Sequence, residues 1–133
     1  MKKSKFFTLA IIIVFIGWLF LYEKPTIKGF YQGGANGYFV QILIRKDEGI
    51  FVEWIDNREV DRGTFKKIND KSYSFESDRQ SFQIELNKDN SFEIFINNIN
   101  GINPIIMKKV SSEDTWIEFG EFDDVEEYKG LLD

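Results

Sequence analysis

Four carboxylates in the middle of the chain are the residues whose types and spacing best suit chemistry. They are Glu53, Asp56, Glu59 and Asp61. Two carboxylates held about 5–9 Å apart in a cleft can perform acid–base or glycosidic chemistry. Arg58 and Arg62 are interspersed among them, however, and such a mixture of charges is typical of a solvated surface. We therefore interpret the cluster as a charged face and predict no catalytic residue.

The chain contains neither His nor Cys, and this narrows the possible chemistry sharply. The lack of His removes the usual general base, the commonest metal ligand and every Ser-His or Cys-His nucleophile. The lack of Cys removes disulfides and a lipid-modified cysteine. We predict a non-enzymatic domain that uses no metal or cofactor and is held together by its hydrophobic core alone.

Residues 33–37 (Gly-Gly-Ala-Asn-Gly) form the most glycine-rich stretch of the chain. A glycine-rich loop cradles a phosphate group where it follows a strand and opens a helix. Here the next residues, Tyr38 to Ile42, read as a strand. We therefore predict that residues 33–37 are a flexible hairpin loop.

The net charge of -5 is unevenly distributed along the chain. Residues 25–110 hold twelve basic and twelve acidic residues, whereas residues 111–133 hold nine acidic residues and Lys129 alone. Nucleic-acid binding needs clustered Lys and Arg. A neutral body with an acidic tail therefore argues against a nucleic-acid partner.

An uncharged apolar run at residues 6–22 follows a basic start with Lys2, Lys3 and Lys5. We predict that the run is a transmembrane signal-anchor, because seventeen residues of helix span roughly 26 Å. Its anchoring residues are Phe6, Ile11, Ile12, Ile13, Val14, Phe15, Ile16, Trp18, Leu19, Phe20 and Tyr22. The run ends in bulky residues and lacks the small residues of a cleavage site, so we expect it to be retained. The basic start places residues 1–5 in the cytoplasm and residues 25–133 outside the cell, in a single-pass protein of the cell membrane.

Beyond a linker at residues 23–26, the pattern changes to short alternating segments separated by turn residues. The predicted strands are Ile27–Tyr31, Tyr38–Arg45, Ile50–Ile55, Val60–Ile68, Ser72–Glu76, Ser81–Asn87, Ser91–Asn97 and Ile105–Val110. Period-two alternation with turns every eight to twelve residues indicates an antiparallel meander. The chain is thus predicted to be mainly β, with about eight strands over residues 27–110 forming a small barrel or sandwich.

The strands at 38–45 and 50–55 carry apolar residues on both faces. Such strands suit a sheet that is covered on both sides, or an interaction surface. The aromatic residues that either pack internally or form a ligand or partner surface are Tyr31, Tyr38, Phe39, Trp54, Trp116, Phe119 and Phe122.

Residues 111–133 form an acidic-aromatic C-terminal segment. Its start, Ser111-Ser112-Glu113-Asp114, resembles a helix N-cap with acids in the first turn. We predict one or two short amphipathic helices that pack across the β domain. A tail that becomes ordered on a partner is the alternative.

The segment Gly29-Phe30-Tyr31, followed by a regular eight-strand meander, resembles the small bacterial lipocalin-like (calycin-type) domains. In those domains a Gly-x-Trp or Gly-x-Tyr segment starts the barrel, and its aromatic residue plugs the closed end. The resemblance therefore implies a barrel with Tyr31 in the plugging position, where Trp is more usual. Small barrels of this size are often filled with side chains.

Three functions are compatible with these features. The first is a membrane-anchored, extracytoplasmic binding or interaction domain with an unknown protein partner, for example an immunity or inhibitor protein that meets a toxin or hydrolase at the envelope. The second is a lipocalin-like carrier of a small apolar ligand, which predicts a cavity of at least about 300 Å³. The third is a small envelope hydrolase, which predicts two carboxylates facing each other in a cleft.

Overall fold

The computed structural model describes residues 24–133 and contains eight strands and three short helical turns. The strands are β1 (Gly29–Ala35), β2 (Tyr38–Arg45), β3 (Ile50–Ile55), β4 (Arg58–Lys67), β5 (Ser72–Ser77), β6 (Ser81–Glu85), β7 (Phe92–Ile94) and β8 (Ile105–Ser111). The helices are α1 (Asn97–Asn100) and α2 (Val125–Lys129), and α2 continues into a 3-10 turn at Gly130–Leu132. The predicted membrane anchor at residues 6–22 lies outside the described residues. Across residues 24–133, no helix combines the length and the apolar character needed to cross a membrane.

All strand pairs are antiparallel, in the order β6-β5-β4-β3-β2-β1-β8-β7. Because β1 pairs with both β2 and β8, the meander curls back on itself into a nearly closed barrel. The hydrogen-bonded ladder is not continued between β6 and β7. The predicted eight-strand meander is thus confirmed, as a barrel and not a sandwich, and its architecture is compatible with a lipocalin-like fold.

The prediction of a loop at residues 33–37 is wrong for its first three residues, which belong to β1. The turn is confined to Asn36 and Gly37, both with positive φ, as in the two-residue hairpins whose twist matches that of the strands. Gly33 is required for close strand packing and not for a flexible loop. A Cβ added there would overlap the carbonyl oxygen of Ile106, so glycine allows β1 and β8 to approach and close the barrel.

The barrel interior is filled over most of its length by aromatic and branched side chains. Its largest fully buried side chains include Tyr31, Phe51, Phe75 and Phe92. A second, smaller core lies on the outer face of β2 and β3, where Leu43, Val52 and Trp54 are buried. The apolar residues on both faces of these two strands are therefore explained by two separate packing surfaces.

The C-terminal segment covers that outer face. Residues 112–124 form no helix, so the helix start predicted at residues 111–114 is wrong, and α2 begins only at Val125. Phe119 packs edge-on against Trp54, with 5.5 Å between ring centroids. Trp116 lies beneath the guanidinium groups of Arg45 and Arg62, 4.5 and 4.8 Å from its ring centroid. Contacts of Phe119 and Trp116 with side chains of the sheet, not helix propensity, therefore decide the path of this segment, and Trp116 stays 43% exposed in these contacts.

After crossing the outer face, the chain closes one end of the barrel. Leu132 joins the interior core, and Tyr128 meets Tyr38 edge-on at 6.2 Å. The hydroxyl of Tyr128 donates a hydrogen bond of 3.0 Å to Asp56 Oδ2 in the β3–β4 turn. The amide of Asn98 in α1 donates to the carbonyl oxygen of Gly130. This end of the barrel, called the sealed end below, is therefore plugged by the C-terminus.

Arg58 at the start of β4 is the main polar tether of the C-terminal segment. Its Nε donates a hydrogen bond to Oδ1 of Asp124 and its Nη2 donates one to Oδ2, both at 2.9 Å. Its guanidinium also lies over the rings of Phe122 and Tyr128, at 4.1 and 4.6 Å. Planar two-point contacts of this kind are specific to arginine.

We expect Arg58→Ala to loosen the segment, because it removes the two-point contact and both ring contacts together. A Glu-specific protease should then cut residues 112–124 several-fold faster, which is measured by mass spectrometry over time. Lys66→Ala, which removes an exposed cation from the other half of the same strand, is the matched control. Equal cutting rates in both variants would show that Arg58 does not hold the segment.

Candidate functional site

The end of the barrel opposite the sealed end contains a cavity of about 630 Å³. Its walls come from the linker before β1 and from the connections β2–β3, β4–β5 and β6–β7. We call this cavity and its rim the mouth. The mouth is thus built from four segments that are far apart in the sequence and meet only because the strands alternate in direction.

Five lysines contribute to the lining of the mouth, with Asp70 as the single acidic residue among them. They are Lys24, Lys46, Lys67, Lys71 and Lys88. Each of the four segments supplies at least one lysine, whereas the connections β1–β2, β3–β4, β5–β6 and β7–β8 at the sealed end carry none. The two ends of the barrel therefore differ in their lysine content.

Nearby acids offset only part of this positive charge. Asp70 lies 3.8 Å from Lys67, in an exposed pair, and such pairs interact weakly in water. Glu48 in the β2–β3 turn is 2.8 Å from Arg45. Asp89 accepts hydrogen bonds from the hydroxyl and backbone N–H of Ser91, which lower its pKa. An anionic group that enters the mouth consequently meets an excess of lysine.

The floor of the mouth is apolar. It is formed by Ile27, Phe65, Tyr73 and Leu86, and three of these four side chains are buried. The pKa of the Tyr73 phenol is raised, first by desolvation and then by the charge of Asp70. Below the floor, Phe65 stacks on Phe75 with 5.6 Å between centroids. The mouth thus combines a cationic rim with an apolar base.

Tyr31 holds the linker in place at the edge of the mouth. Its hydroxyl accepts a hydrogen bond from the backbone N–H of Lys28 (3.2 Å) and donates one to the carbonyl oxygen of Thr26 (3.4 Å). The Nζ of Lys109 donates to the same carbonyl (3.1 Å), and Asn90 Oδ1 accepts from the N–H of Thr26 (3.2 Å). Burial raises the pKa of Tyr31 to about 12, so the phenol keeps its proton. Tyr31 therefore lies beside the mouth and not at the sealed end, so the expectation from the resemblance that it plugs the closed end of the barrel is wrong.

The fold places the four carboxylates singled out in the sequence in different environments. Asp56 lies in the β3–β4 turn, where it accepts hydrogen bonds from the backbone N–H of Phe39 and from Tyr128. Glu59 forms an exposed pair with Arg62. Glu53 and Asp61, by contrast, are neighbours across β3 and β4 and are both buried.

A single amide links Glu53 and Asp61. Gln80 Nε2 donates to Glu53 Oε2 at 3.0 Å and to Asp61 Oδ2 at 2.7 Å, and the hydroxyl of Ser77 donates to the same Asp61 oxygen at 2.9 Å. Desolvation and the charge of Asp61 raise the pKa of Glu53 to about 8. Sequence reasoning missed Gln80 and Ser77, because only the β5–β6 turn brings them to the carboxylates. Glu53, Asp61, Gln80 and Ser77 do not line the mouth. Within residues 24–133, no group of three or more carboxylates is placed to hold a metal ion.

The remaining aromatic residues predicted as a possible surface pack away from the mouth. Trp54, Phe119, Trp116 and Phe122 lie at the contact between the C-terminal segment and the barrel. Tyr38 is at the sealed end, whereas Phe39 and Trp116 are 40% and 43% exposed. The lysines of the mouth were not singled out from the sequence. The sequence does contain a signal for them, since every second connection of the meander contains lysine. This pattern indicates a lysine-rich end of the barrel only once the alternating strand directions are known.

Comparisons with known proteins do not add to this geometry. No protein-family model matches the chain, and no curated protein or solved structure is significantly similar to it. The basis for assigning a function is therefore the chemistry of the site itself.

Proposed function

We propose that the protein is a membrane-anchored, extracytoplasmic binding domain without enzymatic activity, whose mouth binds a small amphiphile that carries an acidic group. The observation that supports this proposal is the 630 Å³ cavity with its five-lysine rim and apolar floor. Ligand sites in proteins commonly enclose about 300–1,000 Å³ and combine apolar walls with a few polar groups that orient the ligand.

The two parts of the mouth suit the two parts of such a ligand. Burial of an alkyl chain against Phe65 and Leu86 is favourable by about 0.8 kcal/mol for each CH₂ group. The ammonium groups on the rim would attract a carboxylate or phosphate and hold it near the solvent. A ligand without an acidic group gains only the first of these contributions. The proposal is therefore a narrower form of the lipocalin-like carrier hypothesis, in which the ligand is an acidic amphiphile.

A protein partner bound through the acidic-aromatic segment is less well supported. Phe119 and Phe122 are already engaged with the barrel and Arg58, and Asp124 is paired with Arg58. A partner would first have to displace these contacts. The mouth needs no such rearrangement to accept a ligand.

We expect a photoreactive fatty acid, with a diazirine on its chain, to label the floor of the mouth. The full-length protein in phosphatidylcholine nanodiscs is irradiated with this probe, and the adducts are located by mass spectrometry. Lys71→Glu with Lys88→Glu should lower the labelling roughly tenfold or more, because a change of 1.4 kcal/mol in binding is already tenfold in affinity. Both lysines are exposed, so the barrel should remain folded.

Lys66→Glu with Lys108→Glu is the matched control, since it makes the same change of net charge at exposed positions outside the mouth. The corresponding photoreactive fatty alcohol tests the need for an acidic group. Labelling that is equal in both double variants, or adducts located on the C-terminal segment, would contradict the proposal.

A further inference from the structure

The linker places the mouth very close to the apolar run of the N-terminus. The run ends at Tyr22, and Lys24, only two positions later, already lines the mouth. Two extended residues span at most about 7 Å. If the run lies in the membrane, as we propose, the rim of the mouth is at or near the depth of the lipid headgroups.

The linker is also anchored to the barrel, so the mouth cannot turn freely away from that position. Thr26 is held by hydrogen bonds to Asn90, Lys109 and Tyr31, and Ile27 is buried in the interior core. Pro25 has a restricted φ angle. Little chain is therefore left between the apolar run and the point where the barrel fixes the backbone.

The distribution of charge favours the same orientation. Five lysines and one acid, Asp70, line the mouth, and the exposed acids Asp47, Glu48 and Asp89 lie in its connections without lining the cavity. The strand connections of the sealed end carry no lysine, and exposed acids such as Glu126 and Glu127 are found there. At the start of the β4–β5 connection, directly after Lys67, Ile68 is 50% exposed. Lysines beside an exposed apolar side chain suit an anionic lipid surface, and their attraction is strong within the Debye length of about 8–10 Å.

We infer that the mouth faces the outer leaflet and that its ligand is an anionic membrane lipid, taken up directly from the bilayer. This inference rests on the proposed function, because it identifies the acidic amphiphile that the mouth binds. The acyl chain would lie on the apolar floor, and the phosphate would lie among the lysines. A zwitterionic lipid carries no net charge to match the rim.

The test compares lipids in nanodiscs that contain the full-length protein. One set contains phosphatidylcholine with photoreactive phosphatidylglycerol, and the other contains phosphatidylcholine with a trace of photoreactive phosphatidylcholine. We expect adducts on the Phe65 and Tyr73 peptides from phosphatidylglycerol, several-fold above those from phosphatidylcholine. Lys71→Glu with Lys88→Glu should abolish this difference, and Lys66→Glu with Lys108→Glu should preserve it.

The outcomes separate this inference from the function on which it rests. Equal labelling of the floor by both lipids, or no labelling by either, would overturn the inference. If the fatty acid added from solution still labels the floor in a lysine-dependent way, the proposed function stands and only the lipid source is wrong. If neither the fatty acid nor the lipid labels the floor, both proposals fail.

Discussion

The free energy of unfolding should fall steeply as the pH rises from about 5 to 8, because the Glu53 carboxyl is neutral inside the folded barrel. Its pKa is raised from 4.5 to about 8, first by desolvation and then by the charge of Asp61. In the unfolded chain the same group loses its proton near pH 4.5. Between these two values the folded state binds more protons, so each unit of rising pH removes about 1.4 kcal/mol of stability.

The loss should reach on the order of 4 kcal/mol at pH 8 and level off above it. Below about pH 4.5 Glu53 has no effect, because it is protonated in both states. Asp89 and Asp124 act in the opposite direction, since hydrogen bonds from Ser91 and Arg58 lower their pKa values. Their contribution is lost as the pH falls through these lowered values, so stability should be greatest in mildly acid solution.

Glu53→Gln tests the assignment by urea unfolding of the full-length protein in detergent micelles across this pH range. The amide cannot titrate, and its oxygen can still accept the hydrogen bond from Gln80. The variant should therefore lose most of the dependence on pH. Glu59→Gln, at an exposed carboxylate on β4, should retain it. A wild-type stability that is constant from pH 5 to 8 would show that Glu53 is ionised in the barrel.

The second large effect is expected at Gly63, where β4 passes close to β5. A Cβ added to Gly63 would overlap the backbone carbonyl of Glu76 and come within 2.9 Å of the Phe51 ring. The overlap with backbone cannot be relieved by a change of rotamer, so the two strands would have to separate. We expect Gly63→Ala to lower the free energy of unfolding by about 3 kcal/mol, at the upper end of the usual cost of overpacking.

Gly130→Ala is the matched control for this substitution. Gly130 has helical angles, with φ -61° and ψ -19°, and an added Cβ would meet nothing within 4 Å. The free energy of unfolding of Gly130→Ala should be unchanged or raised by about 0.4–1 kcal/mol, because alanine has fewer backbone conformations than glycine in the unfolded chain. Both variants are measured by urea unfolding at pH 5. Equal stability of the two variants would show that β4 and β5 can separate without cost.

The strands and their order could be predicted because their signals are local. In residues 81–86 every second residue is apolar, and this alternation alone identifies β6 and the side of it that faces the core. The turn at Asp56-Asn57 follows from two residue types that tolerate positive φ. Such preferences act between neighbouring residues and depend little on the rest of the fold.

The same local reasoning failed at residues 33–35 and 111–114. Glycine is common in loops, but Gly33 is needed in a strand because β8 passes too close for a side chain. Ser111 to Asp114 have the residue types of a helix start, yet Ser111 is the last residue of β8 and the chain after it leads to Trp116 and Phe119 on the outer face of β2 and β3. In both places a contact with a strand far away in the sequence overrides the local preference.

From its sequence alone, this chain could be predicted to be mainly β with eight antiparallel strands, and the membrane anchor at residues 6–22 remains a prediction of the same kind. Only the tertiary structure decided that five lysines from four separate segments form one rim, and that Glu53 and Asp61 are buried together while Asp56 is half-buried beneath Tyr128 and Glu59 is exposed. The physical reason is that alternation and turn preferences are encoded within a few residues. The charge around a cavity and the pKa of a buried carboxyl depend instead on which distant segments the closure of the barrel brings together.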